Sequence, residues 1–329
     1  MSRPVAAGHR LPLHVPLAVQ RRGDVVESVH CGSLIAVDPA GRTLLSAGDP
    51  LALYFPRSSL KPLQAVALVR AGLRLPPNLL ALAAASHSGS ADHVAGARQI
   101  LATHGLDPSA LGNVPDLPYG TAERDAWLRS GGVPSRLTQN CSGKHAAMAA
   151  TCAINGWPVD GYCEPGHPLQ RLIHGVVEEL TGERIRHAST DGCGTPVFAL
   201  SLRAMATAFS RIRTGAPGTA ERAVATAMTS HPGQVAGEGR DVTALMRRVP
   251  GLLAKDGFEG VQVTALPDGR TVAVKISDGG DRARMPVTVQ ALIRLGVDPA
   301  ALSGLATTPV LGGGLPVGEL APLSFDDEP

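Results

Sequence analysis

The chain has 329 residues and a formal net charge of +2, from 30 basic and 28 acidic side chains. Hydrophobic residues make up 44% and charged residues 18%, which is typical of a folded globular protein and excludes a disordered chain. Aromatic residues make up only 3% and no run of Lys or Arg stands out, so the sequence gives no support for nucleic-acid binding.

The N-terminal segment is interrupted by prolines and histidines and has no continuous apolar stretch of the signal-peptide kind. No segment reaches the ~20 apolar residues of a membrane span. We therefore expect a cytoplasmic protein that does not bind a membrane. Its cysteines are odd in number and should be reduced there: Cys31, Cys141, Cys152, Cys163 and Cys193.

Two hairpins are predicted near opposite ends of the chain, because residues 30–49 and 261–279 alternate apolar and polar positions around short turns. Apolar residues spaced three and four apart predict helices between them, at 91–105, 143–157, 167–182 and 197–215. Gly105, Gly182 and Gly215 stand where helix C-caps are expected. The Gly/Pro-rich tail from residue 307 should be extended before an acidic, frayed end.

This order of elements favours an α/β (α+β) fold in which both chain ends build one antiparallel sheet and a large helical insertion lies between them. We expect a single catalytic domain over residues 1–329. Its sheet lobe would comprise about 1–60 and 250–329, and its mainly helical lobe about 61–249.

The stretch "RSSLKPLQA" places Ser58 and Lys61 three residues apart at the start of an apolar helix. Pro62 is tolerated only in a first helical turn, so the helix should begin near Ser58. A serine there lies near free backbone amides that can stabilise an oxyanion, with Lys61 as its base. The alternative is an ordinary N-cap serine beside a solvated lysine.

Two later motifs favour the catalytic interpretation. Ser86 follows an apolar run in "ASHSG", and Lys255 belongs to a Lys-x-Gly motif before the second hairpin. Ser-x-x-Lys, a second Ser and Lys-x-Gly, in that order, form the motif set of serine β-lactamases and penicillin-binding proteins. A cation at Lys255 would help to keep Lys61 neutral, and Ser86 could relay protons.

A second cluster lies in "NCSGKHAAM" and "STDGCGTP", each of which places a cysteine among glycines. Cys141 and Cys193, with Lys144 and Asp191 adjacent, could form a metal or substrate pocket. Buried structural thiols and a Cys141–His145 nucleophilic pair remain alternatives.

Taken together, "YFPRSSLKPLQA", "ASHSG", "NCSGKHAAMAATC", "DGCGTP", "AKDGFEGV" and "PVLGGGLPVG" resemble the class 3, Rhizobium-type L-asparaginases over nearly the whole chain. That family is related in fold to serine β-lactamases and bacterial glutaminases. The resemblance implies a Ser58–Lys61 pair and a Ser86–Lys255 pair in catalysis, and a zinc ion held by Cys141, Lys144 and Cys193.

The implied reaction is hydrolysis of L-asparagine to L-aspartate and ammonia by a homodimer. We assign substrate binding to Asp191, Gly192 and His145, with zinc near the pocket but not required for the chemistry. Three alternatives stay open: a glutaminase or other amidase on the same scaffold, a zinc-dependent amidohydrolase, and a non-enzymatic amino-acid-binding module.

Overall fold

The computed structural model describes residues 11–324, so the first ten residues and the predicted acidic end lie outside it. Its strands are β1 Val15–Arg22, β2 Val25–Val37, β3 Thr43–Ala47, β4 Leu53–Tyr54, β5 Ala188–Thr190, β6 Pro196–Phe198, β7 Leu200–Ser201, β8 Leu253–Gly257, β9 Val261–Ala265, β10 Thr271–Ile276, β11 Thr308–Gly312 and β12 Leu315–Pro322. Its helices are α1 Lys61–Arg70, α2 Pro77–Ala83, α3 Ala91–Thr103, α4 Thr121–Arg129, α5 Ser142–Ile154, α6 Pro168–Thr181, α7 Leu202–Thr214, α8 Ala220–Ser230, α9 Pro232–Val235, α10 Asp241–Arg248 and α11 Arg284–Arg294.

One antiparallel sheet joins the two ends of the chain. Its strand order is β11-β12-β1-β2-β10-β9-β8, and β3 pairs with β2 outside this path. Strand β1 lies between strands from opposite ends of the sequence, because Val19 faces Val29 of β2 on one side and Ala321 of β12 on the other. Strand β8 is an edge strand of this path.

The helices divide into those that cover the sheet and those that pack on one another. Helix α7 packs against β2, β9 and β10, and α11 packs against β9, β10 and β12. Helix α1 packs against α5, α6 and α8. Residues 61–68 of α1 are all buried, which is typical of a helix that other helices surround.

The predicted architecture is confirmed: both chain ends build the antiparallel sheet, and helices fill the sequence between them. Both hairpins form, as β2–β3 and β9–β10. Gly182 ends α6 in the left-handed region at φ +70°, as expected of a C-cap glycine. No helix within residues 11–324 is long and apolar enough to cross a membrane.

One helix prediction is wrong at its start. Residues 196–198 and 200–201 form strands β6 and β7, and α7 begins only at Leu202. The Ser201 hydroxyl caps that helix by accepting a hydrogen bond from the Ala204 amide at 3.0 Å. A short buried apolar run has no periodicity that separates strand from helix, which explains the error. Strand β1 was not predicted, whereas β8 forms where the Lys-x-Gly motif was expected to lie on a strand edge.

Candidate active site

The Ser58 hydroxyl lies in a short 3₁₀ helix, Arg57–Leu60, that leads directly into α1. Pro62 occupies the first turn of α1, as the sequence predicts, but the α-helix starts at Lys61 rather than at Ser58. Ser58 is partly exposed, and its hydroxyl forms no hydrogen bond with any residue that the structure describes. The hydroxyl is therefore accessible and not committed to a structural contact.

Lys61 is buried below this turn and contacts the loop that carries Ser86. Its Nζ atom donates to the Ala85 carbonyl at 2.6 Å and to the Ser86 Oγ atom at 2.8 Å. Ala85 lies just beyond the end of α2, where carbonyl groups lack intrahelical donors and a lysine can supply one. The structure thus brings Lys61 together with Ser86, and within residues 11–324 no Ser58–Lys61 hydrogen bond is formed.

Lys255 lies on the edge strand β8 with no exposed surface. Its Nζ atom donates to the Asp256 carbonyl at 2.8 Å and to the Asp256 carboxylate. Burial lowers the pKa of Lys255 to about 8, against the attraction of Asp256 and with a further contribution from the nearby Lys61 cation. Lys255 therefore pairs with Asp256, and in the described part of the chain it forms no hydrogen bond to Ser86.

Asp256 is held by a second cation. Its Oδ2 atom accepts a hydrogen bond from Arg240 Nη2 at 2.9 Å, and the Arg240 guanidinium stacks on the Tyr119 ring at 4.7 Å. Burial would raise the pKa of Asp256, but Lys255 and Arg240 hold it below its usual range. The carboxylate therefore stays ionised and fixes the position of Lys255.

Strand β8 lies directly against the 3₁₀ helix. The Ser59 hydroxyl donates to the Lys255 carbonyl at 3.2 Å. A Cβ atom on Gly257 would lie 2.3 Å from the Pro56 carbonyl oxygen, so only glycine permits this approach. The contact brings the Ser58 turn next to the strand of Lys255.

The predicted metal residues also come together. Lys144, in the first turn of α5, donates to Cys193 Sγ at 3.0 Å and to Thr195 Oγ1 at 2.9 Å. A hydrogen bond from Cys141, aided by the Lys144 ammonium and against the effect of burial, holds the pKa of Cys193 well below its usual range. Cys141, Lys144 and Cys193 thus form one buried cluster whose surroundings favour the ionised form of Cys193.

His145 lies behind these thiols and is fully buried. Its Nδ1 atom is 2.7 Å from the Tyr162 hydroxyl, and its Nε2 atom has no hydrogen-bond partner among residues 11–324. Burial lowers the pKa of His145 to about 4, so the ring is neutral at physiological pH. The structure places His145 beside the cluster, away from solvent.

The donor set of this cluster suits zinc in its chemistry. Thiolate sulfur is a preferred zinc ligand, and the unpartnered His145 Nε2 atom supplies a neutral imidazole nearby. Within the described residues no group of three His, Cys, Asp or Glu side chains converges as a metal site, so a zinc site with Cys141 and Cys193 would need the Lys144 amine as well. Lys144 would have to release its proton to serve; burial favours that release, but Cys193 and Cys141 outweigh it and raise the pKa of Lys144.

Arg57 connects the two clusters, and the sequence analysis missed it. Its Nε atom donates to Asp191 Oδ1 at 2.7 Å, and its guanidinium lies 5.5 Å from the centre of the Phe258 ring. Its backbone adopts φ +52°, which is uncommon for a residue other than glycine. The only sequence signal was its position between Pro56 and Ser58. Arg57 thereby joins the Ser58 turn to the turn that holds Cys193.

Asp191 and Gly192 lie in the turn between β5 and β6. Asp191 Oδ1 also accepts a hydrogen bond from the Gly192 amide at 2.9 Å, and Gly192 is exposed. Asp191 is thus committed to Arg57 in this structure, and a substrate ammonium group would compete for the same carboxylate.

Comparison with known proteins gives a family match and several structural similarities. A family model described as L-asparaginase II matches residues 18–322. Among curated proteins, none matches the sequence.

Solved structures similar to this chain include a β-lactamase from Mycobacterium bovis at 17% identity and a TM-score of 0.43, covering 84% of this chain and 95% of that one. A candidate β-lactamase from Bacteroides dorei is similar at 13% identity and a TM-score of 0.44, with 79% and 92% covered. A hydrolase with promiscuous acyltransferase activity is similar at 14% identity and a TM-score of 0.38, with 75% and 88% covered.

Proposed function

The chain belongs to the L-asparaginase II family, and we propose that it hydrolyses L-asparagine to L-aspartate and ammonia. The observation that carries the proposal is the buried hydrogen bond from Lys61 Nζ to Ser86 Oγ, at 2.8 Å, directly below the turn that presents Ser58. A nucleophile, a base and a hydroxyl that connects to the base are the parts that acyl transfer needs.

In the proposed mechanism Ser58 Oγ attacks the carbon of the side-chain amide. The Ser58 proton passes to a neutral Lys61, either directly or through the Ser86 hydroxyl, and backbone amides stabilise the oxyanion. The carbon–nitrogen bond then breaks, and the proton returns to the leaving ammonia. Water hydrolyses the Ser58 ester, releases aspartate and restores the serine.

Lys255 supports this chemistry by its charge. Two ammonium groups buried in one site repel each other, so protonating both Lys61 and Lys255 costs free energy. Lys255 pairs with the Asp256 carboxylate, whereas Lys61 contacts no carboxylate among residues 11–324, so the proposal assigns the role of base to Lys61.

Cys141, Lys144 and Cys193 would hold a zinc ion in this proposal, with Asp191 and Gly192 at the substrate side. The ion would supply a positive charge that orients the substrate. Because Ser58 already provides the nucleophile, removing zinc with a chelator should raise KM more than it lowers kcat. Metal content measured on the same samples verifies removal, and complete loss of kcat would favour a zinc-dependent amidohydrolase instead.

The decisive experiment measures ammonia release from asparagine and from glutamine by the wild type and by Ser58→Ala. Ser58→Ala should abolish turnover and leave the melting temperature unchanged, because the hydroxyl has no structural contact in the described chain. Ser59→Ala is the comparison variant, since it removes a neighbouring hydroxyl that helps to position the Ser58 turn through the Lys255 carbonyl, and it should lower turnover without abolishing it. Near-normal turnover by Ser58→Ala would show that the nucleophile assignment is wrong, and faster release from glutamine would make the protein a glutaminase.

The Lys61–Ser86 contact also favours a second candidate, in which Ser86 is the nucleophile and Lys61 its base. Trapping the acyl-enzyme and locating the modified serine by mass spectrometry distinguishes the two assignments. The homodimer remains part of the proposal, and light scattering coupled to size-exclusion chromatography tests it.

A further inference from the structure

A cavity of about 530 Å³ lies between α6 and the β5–β6 hairpin, whose turn carries Asp191 and Gly192. Its volume falls within the range of about 300–1,000 Å³ that small-molecule sites occupy. Apolar surface dominates the cavity, with a few polar groups at fixed positions. The residues on which the argument depends are Gln170, Arg171, His174, Ser189 and Phe198.

Gln170 is a buried polar residue that is only half satisfied. It is 2% exposed, and its Nε2 atom donates to the Tyr162 carbonyl at 2.7 Å. Its Oε1 atom is buried and has no partner among residues 11–324. A buried carbonyl oxygen without a donor costs about 1–3 kcal/mol. Gln170 lines the cavity, and its enclosed Oε1 atom would be satisfied by an N–H donor that reached it from there.

Among the other polar groups, Arg171 supplies a cation beside an aromatic surface, and Ser189 and Thr190 supply hydroxyl groups. Arg171 is exposed, and within the described chain its guanidinium forms no ion pair. The His174 ring meets the Phe198 ring edge-on, with centroids 5.3 Å apart. A guanidinium without a carboxylate partner beside an aromatic wall is suited to a carboxylate that carries an apolar or aromatic group.

We propose that this cavity binds a small carboxylate with an N–H donor and an apolar side chain, the chemistry of an apolar or aromatic α-amino acid. The carboxylate pairs with Arg171, the amino group donates to Gln170 Oε1, and the side chain packs against Phe198 and His174. The proposal does not depend on the catalytic assignment, because none of these residues is among the proposed catalytic residues or zinc ligands.

Isothermal titration calorimetry on the full chain tests this with three probes. L-Phenylalanine has all three groups, 3-phenylpropionate lacks the amino group, and 2-phenylethylamine lacks the carboxylate. We expect saturable binding of L-phenylalanine at one site per chain, and binding at least about tenfold weaker for 2-phenylethylamine. An absence of saturable binding, or equal binding of L-phenylalanine and 2-phenylethylamine, would overturn the proposal.

Variants locate the site. Arg171→Met should weaken L-phenylalanine binding at least about tenfold, and Ser189→Trp should abolish it by filling the cavity. Both positions are exposed, so the fold should tolerate the changes, and thermal unfolding verifies this. Arg129→Met removes an exposed arginine on α4 outside the cavity and should bind normally. Unchanged binding of L-phenylalanine by Arg171→Met would overturn the proposal. Dissociation of a dimer in that variant would also overturn it, because this face would then be a contact between copies of the chain.

Discussion

Replacing Gly257 with alanine should separate the positioning of Ser58 from the stability of the fold. Gly257 ends β8, two residues after Lys255, and an added Cβ atom would lie 2.3 Å from the Pro56 carbonyl oxygen and 2.9 Å from Ser59 Oγ. The nearer atom belongs to the backbone, so no rotamer change relieves the clash. Either β8 or the Ser58 turn must move.

The size of the effect follows from that distance. A contact of 2.3 Å is short of van der Waals contact by about 1 Å. Overpacking of this kind costs about 1–3 kcal/mol, which lowers the melting temperature of a 329-residue chain by about 1–4 °C. Displacing a reacting group by about 1 Å can cost about 100-fold in rate. Gly257→Ala should therefore lower kcat/KM by a large factor while it lowers the melting temperature by only a few degrees.

Calorimetric unfolding and steady-state ammonia release measure the two effects. Gly175→Ala is the matched control, because Gly175 lies in α6 with open space at its Cβ position. It should stabilise the fold by about 0.5–1 kcal/mol and leave kcat/KM unchanged. If Gly257→Ala keeps kcat/KM within about twofold of the wild type, the close approach of β8 does not position Ser58, and the reasoning fails.

Two further predictions concern stability. The pKa of Lys255 is about 8 in the folded chain, against an ordinary value of 10.5. Between these two pH values the unfolded chain binds a proton that the folded chain does not. The free energy of unfolding should therefore rise with pH over this range. Lys255→Met should lose that slope in urea unfolding at pH 8 and pH 10, and parallel slopes would contradict the assignment. Ser90 caps α3 by accepting a hydrogen bond from the His93 amide at 3.3 Å, so Ser90→Ala should cost about 1 kcal/mol and Ser90→Gly only a few tenths. Equal losses in thermal unfolding would show that the cap is not what stabilises this helix.

Local patterns predicted the parts of the fold that local chemistry determines. The alternating segments on each side of Gly41 and Gly269 form the predicted hairpins, although β9 and β10 are buried on both faces and enclose their polar residues, so the turn residues were the sounder signal. The position of Pro62 placed the start of a helical segment to within a few residues. Strand β1 escaped prediction because its two neighbours, β2 and β12, come from opposite ends of the chain and its pattern alone is short.

The sequence predicted which residues form the site better than it predicted which of them contact one another. Ser58, Lys61, Ser86 and Lys255 were chosen from motif order, which gives no information on which hydroxyl each lysine contacts. Lys61 pairs with Ser86 across 25 residues, and Arg57 pairs with Asp191 across 134 residues. Such contacts depend on how loops meet in space, and no periodicity or spacing in the sequence encodes them.

The position of β1 between β2 and β12 has a consequence for biosynthesis. During translation β1 and β2 leave the ribosome long before β12, which must pair with β1. Strand β1 therefore stays unpaired on that side until nearly the entire polypeptide has been synthesised. Contacts between such distant segments slow folding and leave unpaired strand edges open to aggregation. High-yield expression should therefore benefit from slower synthesis at low temperature or from added chaperones.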